Sequence, residues 1–216
     1  MSLETLPSPE LLIGKPATEV VKLIFELNKG RIVGGSLINY HYIPGKFRCA
    51  PHIDIIPEEI NRLEEKIESN LRQNYDIGIS SRLDLTEGIG HIPMIDFDCP
   101  IYPKNLAKIQ ERLARLSFDG ESLKWVILDS GNSYQAYCLN FLLLTTDTDS
   151  KTIPLFAEKC HSILDFDEDR DNDEIIHSWW FIHSDSGDEM CMRLTNNCGK
   201  IKIPEVVAVV DNKSFQ

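Results

Sequence analysis

The chain has 216 residues, 42% of them hydrophobic and 26% charged, which is typical of a globular protein large enough to bury a full core. The formal net charge of −12 excludes a protein that coats nucleic acid through a broad basic surface, so any contact with nucleic acid must be local. No apolar run approaches the ~18 residues that span a bilayer, and the first residues lack the features of a secretory signal, so we expect one cytoplasmic domain and no membrane partner.

The N-terminal part of the sequence predicts helices and strands that follow an extended arm. Its prolines indicate that residues 1–17 are extended. The predicted elements after the arm are a helix at 18–30 closed by Gly30, a strand at 31–45 interrupted at Gly34 and Gly35, a strand at 49–56, and a helix at 57–74. In the last of these helices, Glu58/Arg62 and Glu68/Arg72 are placed for i,i+4 ion pairs.

The C-terminal part alternates strands with helices, which predicts an α+β (mixed α/β) fold and excludes a helix bundle. The predicted elements are a strand at 91–98, a helix that begins at Pro103, a strand at 124–129, a turn at 130–133, a strand at 134–146, helices at 152–164 and 175–184, and strands at 190–197 and 203–211. Helices are therefore expected to pack on a sheet.

Three further features have simple structural interpretations. The acidic run at 165–174 is expected to be a solvated loop, because the glycine and ligand spacing of a calcium loop are missing. The six cysteines are expected to be reduced thiols, since they are spread along the chain without paired spacing and several lie in apolar runs. No zinc site is expected, because the two-knuckle spacing is missing. The aromatic segment at 177–184 is expected to pack beneath the sheet rather than to stack on bases.

Asp96 and Asp98 end the strand predicted over residues 91–98. Because side chains alternate along a strand, both carboxylates project to one face, ~6.5 to 7 Å apart. Neighbouring carboxylates raise each other's pKa unless a cation lies between them, and carboxylate oxygens favour Mg²⁺ or Mn²⁺. Such a site at the carboxyl end of a strand suits phosphoryl or nucleotidyl transfer, whereas a turn cap beside a solvated aspartate is the alternative interpretation.

The second motif is a turn of small residues between two predicted strands. It consists of Ser130, Gly131, Asn132 and Ser133. Its backbone N–H groups and two hydroxyls suit a phosphate, and the alternative is an ordinary polar hairpin. On the strand that follows, Gln135 and Tyr137 share one face.

These two motifs, in this order, resemble those of the archaeo-eukaryotic primase (primase-polymerase) superfamily, and above all its small primase 1D-like proteins. In that superfamily a strand ends in two aspartates one residue apart. A helix, a strand and a Ser-Gly-rich turn then lead into a strand with a nucleotide-binding histidine. Asp96 and Asp98 match the first motif, and the turn at Ser130 followed by Gln135 matches the second. The resemblance spans roughly residues 80 to 200.

The resemblance implies a single primase-like domain, with an N-terminal α/β module at 18–80 and a palm-like module at 81–216 whose sheet has RNA-recognition-motif-like topology. It implies metal-dependent polymerisation of nucleotides on DNA or RNA, with Asp96 and Asp98 holding Mg²⁺ or Mn²⁺. The residues that it implies for nucleotide binding are Ser130, Gly131, Ser133, Gln135 and Arg193. For Arg193 the alternative is a strand-surface arginine paired with a nearby acid.

Two features bear on whether such a site is active. Gln135 stands where the family has histidine, and its carboxamide exchanges hydrogen bonds with a triphosphate but carries no charge. The family completes its metal site with a third carboxylate. Asp211, at the end of the last predicted strand, is preferred for this role over Asp185, Asp188 and Glu189.

Three functions follow as hypotheses. The first is a primase-like nucleotidyltransferase that acts on nucleic acid. The second is a catalytically inactive protein of the same fold that binds nucleotide, nucleic acid, or a replication or mobile-element protein. The third is a metal-dependent phosphoesterase on an unrelated sheet.

Overall fold

The computed structural model describes residues 9–43, 46–97, 99–118, 120–140, 142–145, 152–164, 191–196 and 202–211. The α-helices are α1 (Ala17–Leu27), α2 (Leu63–Asn70), α3 (Pro103–Leu113) and α4 (Thr152–Leu164), and 3-10 helices cover Pro9–Leu12 and Pro57–Arg62. The strands are β1 (Ile32–Ile43), β2 (Lys46–Ile55), β3 (Asp76–Leu85), β4 (Gly88–His91), β5 (Met94–Asp96), β6 (Ser117–Phe118), β7 (Glu121–Ser122), β8 (Lys124–Asp129), β9 (Tyr134–Cys138), β10 (Leu143–Thr145), β11 (Cys191–Arg193) and β12 (Glu205–Asp211). This is the expected α+β fold.

The first sheet is antiparallel, with the strand order β10-β4-β3-β1-β2 and with β11 also paired to β3. β4 pairs with residues 82–85 of β3, and β11 pairs with residues 78–80. β11 therefore lies where β4 would continue if the chain did not leave this sheet after His91.

The second sheet has the order β12-β8-β9-β5 and is also antiparallel. Helix α3 lies between β5 and β8 in the chain, and α4 lies between β9 and β12. Counting only the strands of this sheet, the succession is β-α-β-β-α-β, which is a known supersecondary pattern. Trp125 of β8 stacks on Phe156 of α4 with ring centroids 6.4 Å apart, so α4 covers one face of the sheet.

Several predicted elements are confirmed. β8 and α4 have the predicted bounds, and α1, α3, β11 and β12 lie within or close to their predicted segments. The Gly34-Gly35 pair, however, does not end β1, although the register of β1 against β3 shifts on both sides of it. A Cβ at Gly35 would lie only 2.9 Å from Leu83 Cδ2 and 3.4 Å from Phe25 Cζ, so glycine here permits the close packing of β1 against β3 and α1.

The predicted continuous helix over 57–74 is wrong at both ends. It begins as a 3-10 helix and ends at Asn70, because Leu71 is extended. Arg72 therefore lies beyond the helix, and Arg62 pairs with Glu65, three residues on, rather than with Glu58.

The predicted strand over 134–146 is two strands in different sheets, β9 and β10. The break lies at Asn140. Its side chain accepts a hydrogen bond from the N–H of Lys124 at 2.7 Å and donates one to the carbonyl of Ser122 at 2.9 Å. These contacts turn the chain although its apolar sequence continues.

The predicted strand over 91–98 is also divided. His91 ends β4, the segment Ile92-Pro93 carries the chain from one sheet to the other, and β5 then runs from Met94 to Asp96. The boundary suggested between modules at residue 80 lies within β3, and strands from both sides of it share the first sheet.

Some sequence predictions fall on residues outside the described ranges. These are most of the N-terminal arm, the acidic run at 165–174, the aromatic helix at 175–184, and Asp98, Asp185, Asp188 and Glu189. Among the helices that are described, none has both the length and the apolar character to cross a membrane.

Candidate functional site

The candidate site lies where the chain crosses between the two sheets. β5 pairs with β9 so that Asp96 is opposite Gln135 and Met94 is opposite Tyr137. Paired residues of antiparallel strands project to the same face, so Asp96, Gln135 and Tyr137 share the face of the second sheet opposite the one that Trp125 presents to α4. The predicted common face of Gln135 and Tyr137 is confirmed.

Asp98, the other half of the predicted carboxylate pair, lies outside the described residues. β5 itself ends at Asp96, whose side chain is partly exposed. The shared orientation of the two aspartates therefore remains a prediction.

Arg193 of β11 reaches this region from the first sheet, and it is only 5% exposed. Its Nη1 donates hydrogen bonds to the carbonyls of Thr195 at 2.5 Å and Lys202 at 2.9 Å, and its Nη2 donates one to the carbonyl of Ser130 at 2.5 Å. The alternative of a strand-surface arginine is therefore wrong, because the side chain is buried against backbone carbonyls.

The turn that follows β8 is closed by its own side chains. The N–H and the hydroxyl of Ser130 both donate to the carbonyl of Ser133, each at 2.9 Å. The N–H of Gly131 donates to Asp129 Oδ1 at 2.8 Å. Gly131 has φ +99°, a left-handed conformation that side chains strain, so the turn requires glycine at this position.

Fewer polar groups of this turn are available to a ligand than the sequence predicted. The N–H groups of Ser130 and Gly131 and the Ser130 hydroxyl are already bonded within the turn. Among the described residues, no acceptor bonds the backbone N–H of Asn132 or Ser133. A phosphate at the turn would therefore meet these two N–H groups, whereas the Ser133 hydroxyl lies 3.3 Å from the Ser130 hydroxyl and would have to exchange that contact.

A lysine that the sequence analysis did not select also holds the turn. Lys202 Nζ lies 2.8 Å from Asp129 Oδ2 and 3.8 Å from Glu205 Oε2. Asp129 thus links Lys202 to the N–H of Gly131. The pairing fixes the carboxyl end of β8 immediately before the turn.

Two buried groups on the shared face have polar atoms that no described residue satisfies. Gln135 is 7% exposed, and its Oε1 accepts no hydrogen bond from the described residues. Tyr137 is fully buried, and its hydroxyl forms no hydrogen bond with them either. Burial raises the pKa of Tyr137 well above its ordinary value, the charges of Cys191 and Asp96 add to this, and Arg193 opposes it. Tyr137 is thus buried on the face of the second sheet that also carries Asp96.

The structure does not bring Asp211 to Asp96. Asp211 pairs in register with Lys124 and forms an ion pair with it at 3.0 Å. Asp96 is level with Leu128, four residues further along β8, and β5 and β12 are opposite edges of the sheet. Strand spacings put the two carboxylates about 20 Å apart, so Asp211 is too distant to share a metal ion with Asp96.

The described residues match part of a Mg²⁺ or Mn²⁺ site. Asp96 supplies a carboxylate, and Gln135 Oε1 is a buried oxygen without a hydrogen-bond donor in the described ranges. Magnesium is commonly held by one or two carboxylates together with substrate phosphates and water, so this oxygen set fits it. Within the described ranges no group of three or more His, Cys, Asp and Glu side chains is placed to hold a metal ion.

Sequence patterns identified some of these residues and missed others. The spacing of two along β9 was sufficient to find Gln135 and Tyr137. Thr195 was missed, although its hydroxyl donates to Asp76 Oδ1 at 2.8 Å and accepts from the N–H of Ile77 at 3.0 Å. No local signal indicates a contact between residues 119 positions apart in the chain.

The sequence model of the archaeo-eukaryotic primase 1D-like family, named AEP-like, matches residues 59–205, which is more than half of the chain. The matched span contains the site from Asp96 to Lys202. No curated protein and no solved structure matches the chain.

Proposed function

The chain belongs to the archaeo-eukaryotic primase 1D-like family, and we propose that it binds a nucleoside triphosphate with Mg²⁺ or Mn²⁺ between Asp96 and the turn at Ser130, for nucleotidyl transfer on nucleic acid. The observation that carries this proposal is the pairing of Asp96 with Gln135 on one face of the second sheet. A carboxylate and a buried amide thus face the same way, and the turn at Ser130 leads directly into the strand that carries Gln135.

The triphosphate is held by groups of the turn in this proposal. The N–H groups of Asn132 and Ser133 are directed donors, which suit phosphate oxygens. The Ser133 hydroxyl, 3.3 Å from that of Ser130, rotates to add a third donor. Gln135 adds hydrogen bonds without adding charge. The buried positive charge of Arg193 forms no ion pair with a carboxylate among the described residues, so its field favours an anion at the turn.

Asp96 has the role of metal ligand, and Asp98 completes the pair in the proposal. The ion, when bound, neutralises charge on the phosphates and on the attacking and leaving oxygens. Asp96 holds its carboxylate at the end of β5, where it faces the Gln135 side chain across the strand pair. The partial exposure of Asp96 leaves room for substrate oxygens and water.

A second candidate is a nucleotide-binding protein of the same fold without catalysis. Two observations favour it: Gln135 cannot carry the charge of the family histidine, and the described residues contain no set of three acids around Asp96. In that case the protein serves a replication or mobile-element partner, or binds nucleic acid, through the same residues.

An incorporation assay separates the two candidates. Purified protein receives Mn²⁺, labelled nucleotides and either a bare or a primed single-stranded template. The nucleotidyltransferase incorporates label, and Asp96→Asn and Asp98→Asn each abolish incorporation. If the wild type incorporates nothing with Mg²⁺ or Mn²⁺ yet binds nucleotide, the enzymatic proposal is wrong and the second candidate stands.

A further inference from the structure

We infer that Arg193 is a positioning residue, whose guanidinium fixes the turn at Ser130 through backbone carbonyls and does not contact the bound phosphate. This inference rests on the proposed function only for what the turn binds. The positioning itself follows from contacts within the protein.

Most N–H donors of the Arg193 guanidinium are already in use within the protein. The two N–H groups of Nη1 are directed to the carbonyls of Thr195 and Lys202, and one N–H of Nη2 is directed to the carbonyl of Ser130. A guanidinium has five N–H donors in a fixed planar arrangement. Three of the five are therefore committed before any ligand arrives, and the plane of the group is fixed.

The three carbonyls that accept from Arg193 belong to segments beside different strands. Ser130 follows β8 of the second sheet, Thr195 follows β11 of the first sheet, and Lys202 lies shortly before β12. The three chain segments converge on one guanidinium. A lysine ammonium has no planar arrangement of donors, so it does not reproduce this geometry.

The junction that Arg193 spans between the two sheets is anchored on both sides. On the first sheet, the Thr195 hydroxyl is bonded to Asp76 and to the N–H of Ile77. On the second sheet, Lys202 Nζ is bonded to Asp129, immediately before Ser130. Arg193 joins these two anchors, so its loss allows the turn to move relative to β11 even when each anchor remains intact.

The burial of the guanidinium supports the same conclusion. Arg193 is 5% exposed, and within the described ranges no carboxylate neutralises it. Buried charges are normally stabilised by directed polar partners, and here the carbonyl dipoles of three segments have that role. The charge therefore acts on the turn from behind, while the N–H groups of Asn132 and Ser133 remain for the ligand.

The test compares charge-conserving and charge-removing variants. Calorimetry measures the affinity for a nucleoside triphosphate in Arg193→Lys and Arg193→Met over a range of salt concentrations. Positioning predicts that both variants lose roughly tenfold or more, and that the salt dependence of Arg193→Lys equals that of the wild type. If Arg193→Lys retains near wild-type affinity while Arg193→Met loses it and shows a weaker salt dependence, Arg193 contacts phosphate and the inference is wrong.

A matched control removes another buried arginine. Arg112 of α3 is 8% exposed and lies outside the site. Arg112→Lys should leave nucleotide affinity within twofold of the wild type, even where the melting temperature falls. An equal loss of affinity in Arg112→Lys attributes the effect to general destabilisation and overturns the inference.

A measurement on the wild type keeps the inference testable if the variants do not fold. Nitrogen-15 NMR of the guanidinium groups reports exchange of the Arg193 N–H protons. Positioning predicts slow exchange in the free protein and little change when triphosphate is added. Fast exchange in the free protein contradicts the inference. Slow exchange in a protein that binds no nucleotide supports the positioning role while refuting the proposed function.

Discussion

At the scale of single residues, the most informative is Gln135, because it lies beside Asp96 and its Oε1 is buried without a donor among the described residues. A buried polar atom without a partner lowers stability, and a ligand that supplies the donor removes that penalty. The residue thus has the properties of a binding group rather than of a packing group.

Replacement of Gln135 tests this interpretation by separating stability from binding. Gln135→Leu has a similar volume and no polar atom, so it should leave the free energy of unfolding unchanged or raise it by about 1 kcal/mol. Nucleotide affinity should fall at least severalfold. Urea unfolding and calorimetry measure the two quantities. If Gln135→Leu lowers the free energy of unfolding as much as a substitution in the hydrophobic core does, and leaves nucleotide affinity unchanged, the role of Gln135 is structural.

His91 gives a prediction about pH. It is 5% exposed, lies 3.2 Å from the Ser81 hydroxyl, and has its pKa lowered from 6.5 to about 4, first by burial and then by the charge of Arg82. The folded protein therefore resists protonation of His91 that the unfolded chain accepts. His91 therefore leaves the free energy of unfolding at its maximum above pH 6.5. That free energy falls by about 3 kcal/mol in total as the pH falls towards 4.

His91→Gln should remove this part of the pH dependence. Urea unfolding at pH 7 and pH 5 measures it, and the decrease between the two values should be smaller in His91→Gln than in the wild type. The exposed His52→Gln on β2 is the matched control and should retain the full decrease. Identical decreases in the wild type and His91→Gln contradict the assignment to His91.

At the scale of elements, the packing of α4 on the second sheet supports the site from its opposite face. Phe156 is fully buried, stacks on Trp125, and meets Phe118 edge to face at 5.6 Å. This contact holds β8 and β9 from one face of the sheet, and Gln135 and Tyr137 lie on the opposite face.

Phe156→Ala should lower the free energy of unfolding by about 3 to 5 kcal/mol, because it leaves a cavity against Trp125. Denaturant unfolding followed by tryptophan fluorescence measures the change. Leu155→Ala, next in the chain but 54% exposed, should change stability by less than about 0.5 kcal/mol. Equal effects of the two substitutions contradict the described packing.

The elements also show what the sequence predicted. β8 and α4 were found with correct bounds because their apolar residues follow clear strand and helix patterns. β3 was not predicted, because its glycine, two serines and charged residues obscure the alternation of a strand. The separation of β9 from β10 depends on hydrogen bonds of Asn140 to Ser122 and Lys124, which no apolar pattern encodes.

At the scale of the whole molecule, the site exists because two sheets meet at one crossing. Asp96 and Gln135 were each selected from motifs within single strands and their order in the chain, whereas the strand pairing that places them opposite each other was not predicted. The role of Arg193 depends on its contact with the carbonyl of Ser130, 63 positions away in the chain. The displacement of Asp211 depends on the strand order of the sheet. Both are properties of tertiary structure and have no local pattern.

The most direct test of the central claim is a calorimetric titration of a nucleoside triphosphate in the presence and absence of Mn²⁺. We expect the wild type to bind more tightly with the ion, and Asp96→Asn to lose this gain because the carboxylate that holds the ion is absent. Asp54→Asn, an exposed acid on β2, should behave like the wild type. Binding by Asp96→Asn that remains as tight and as ion-dependent as in the wild type contradicts the placement of the nucleotide and metal at this site.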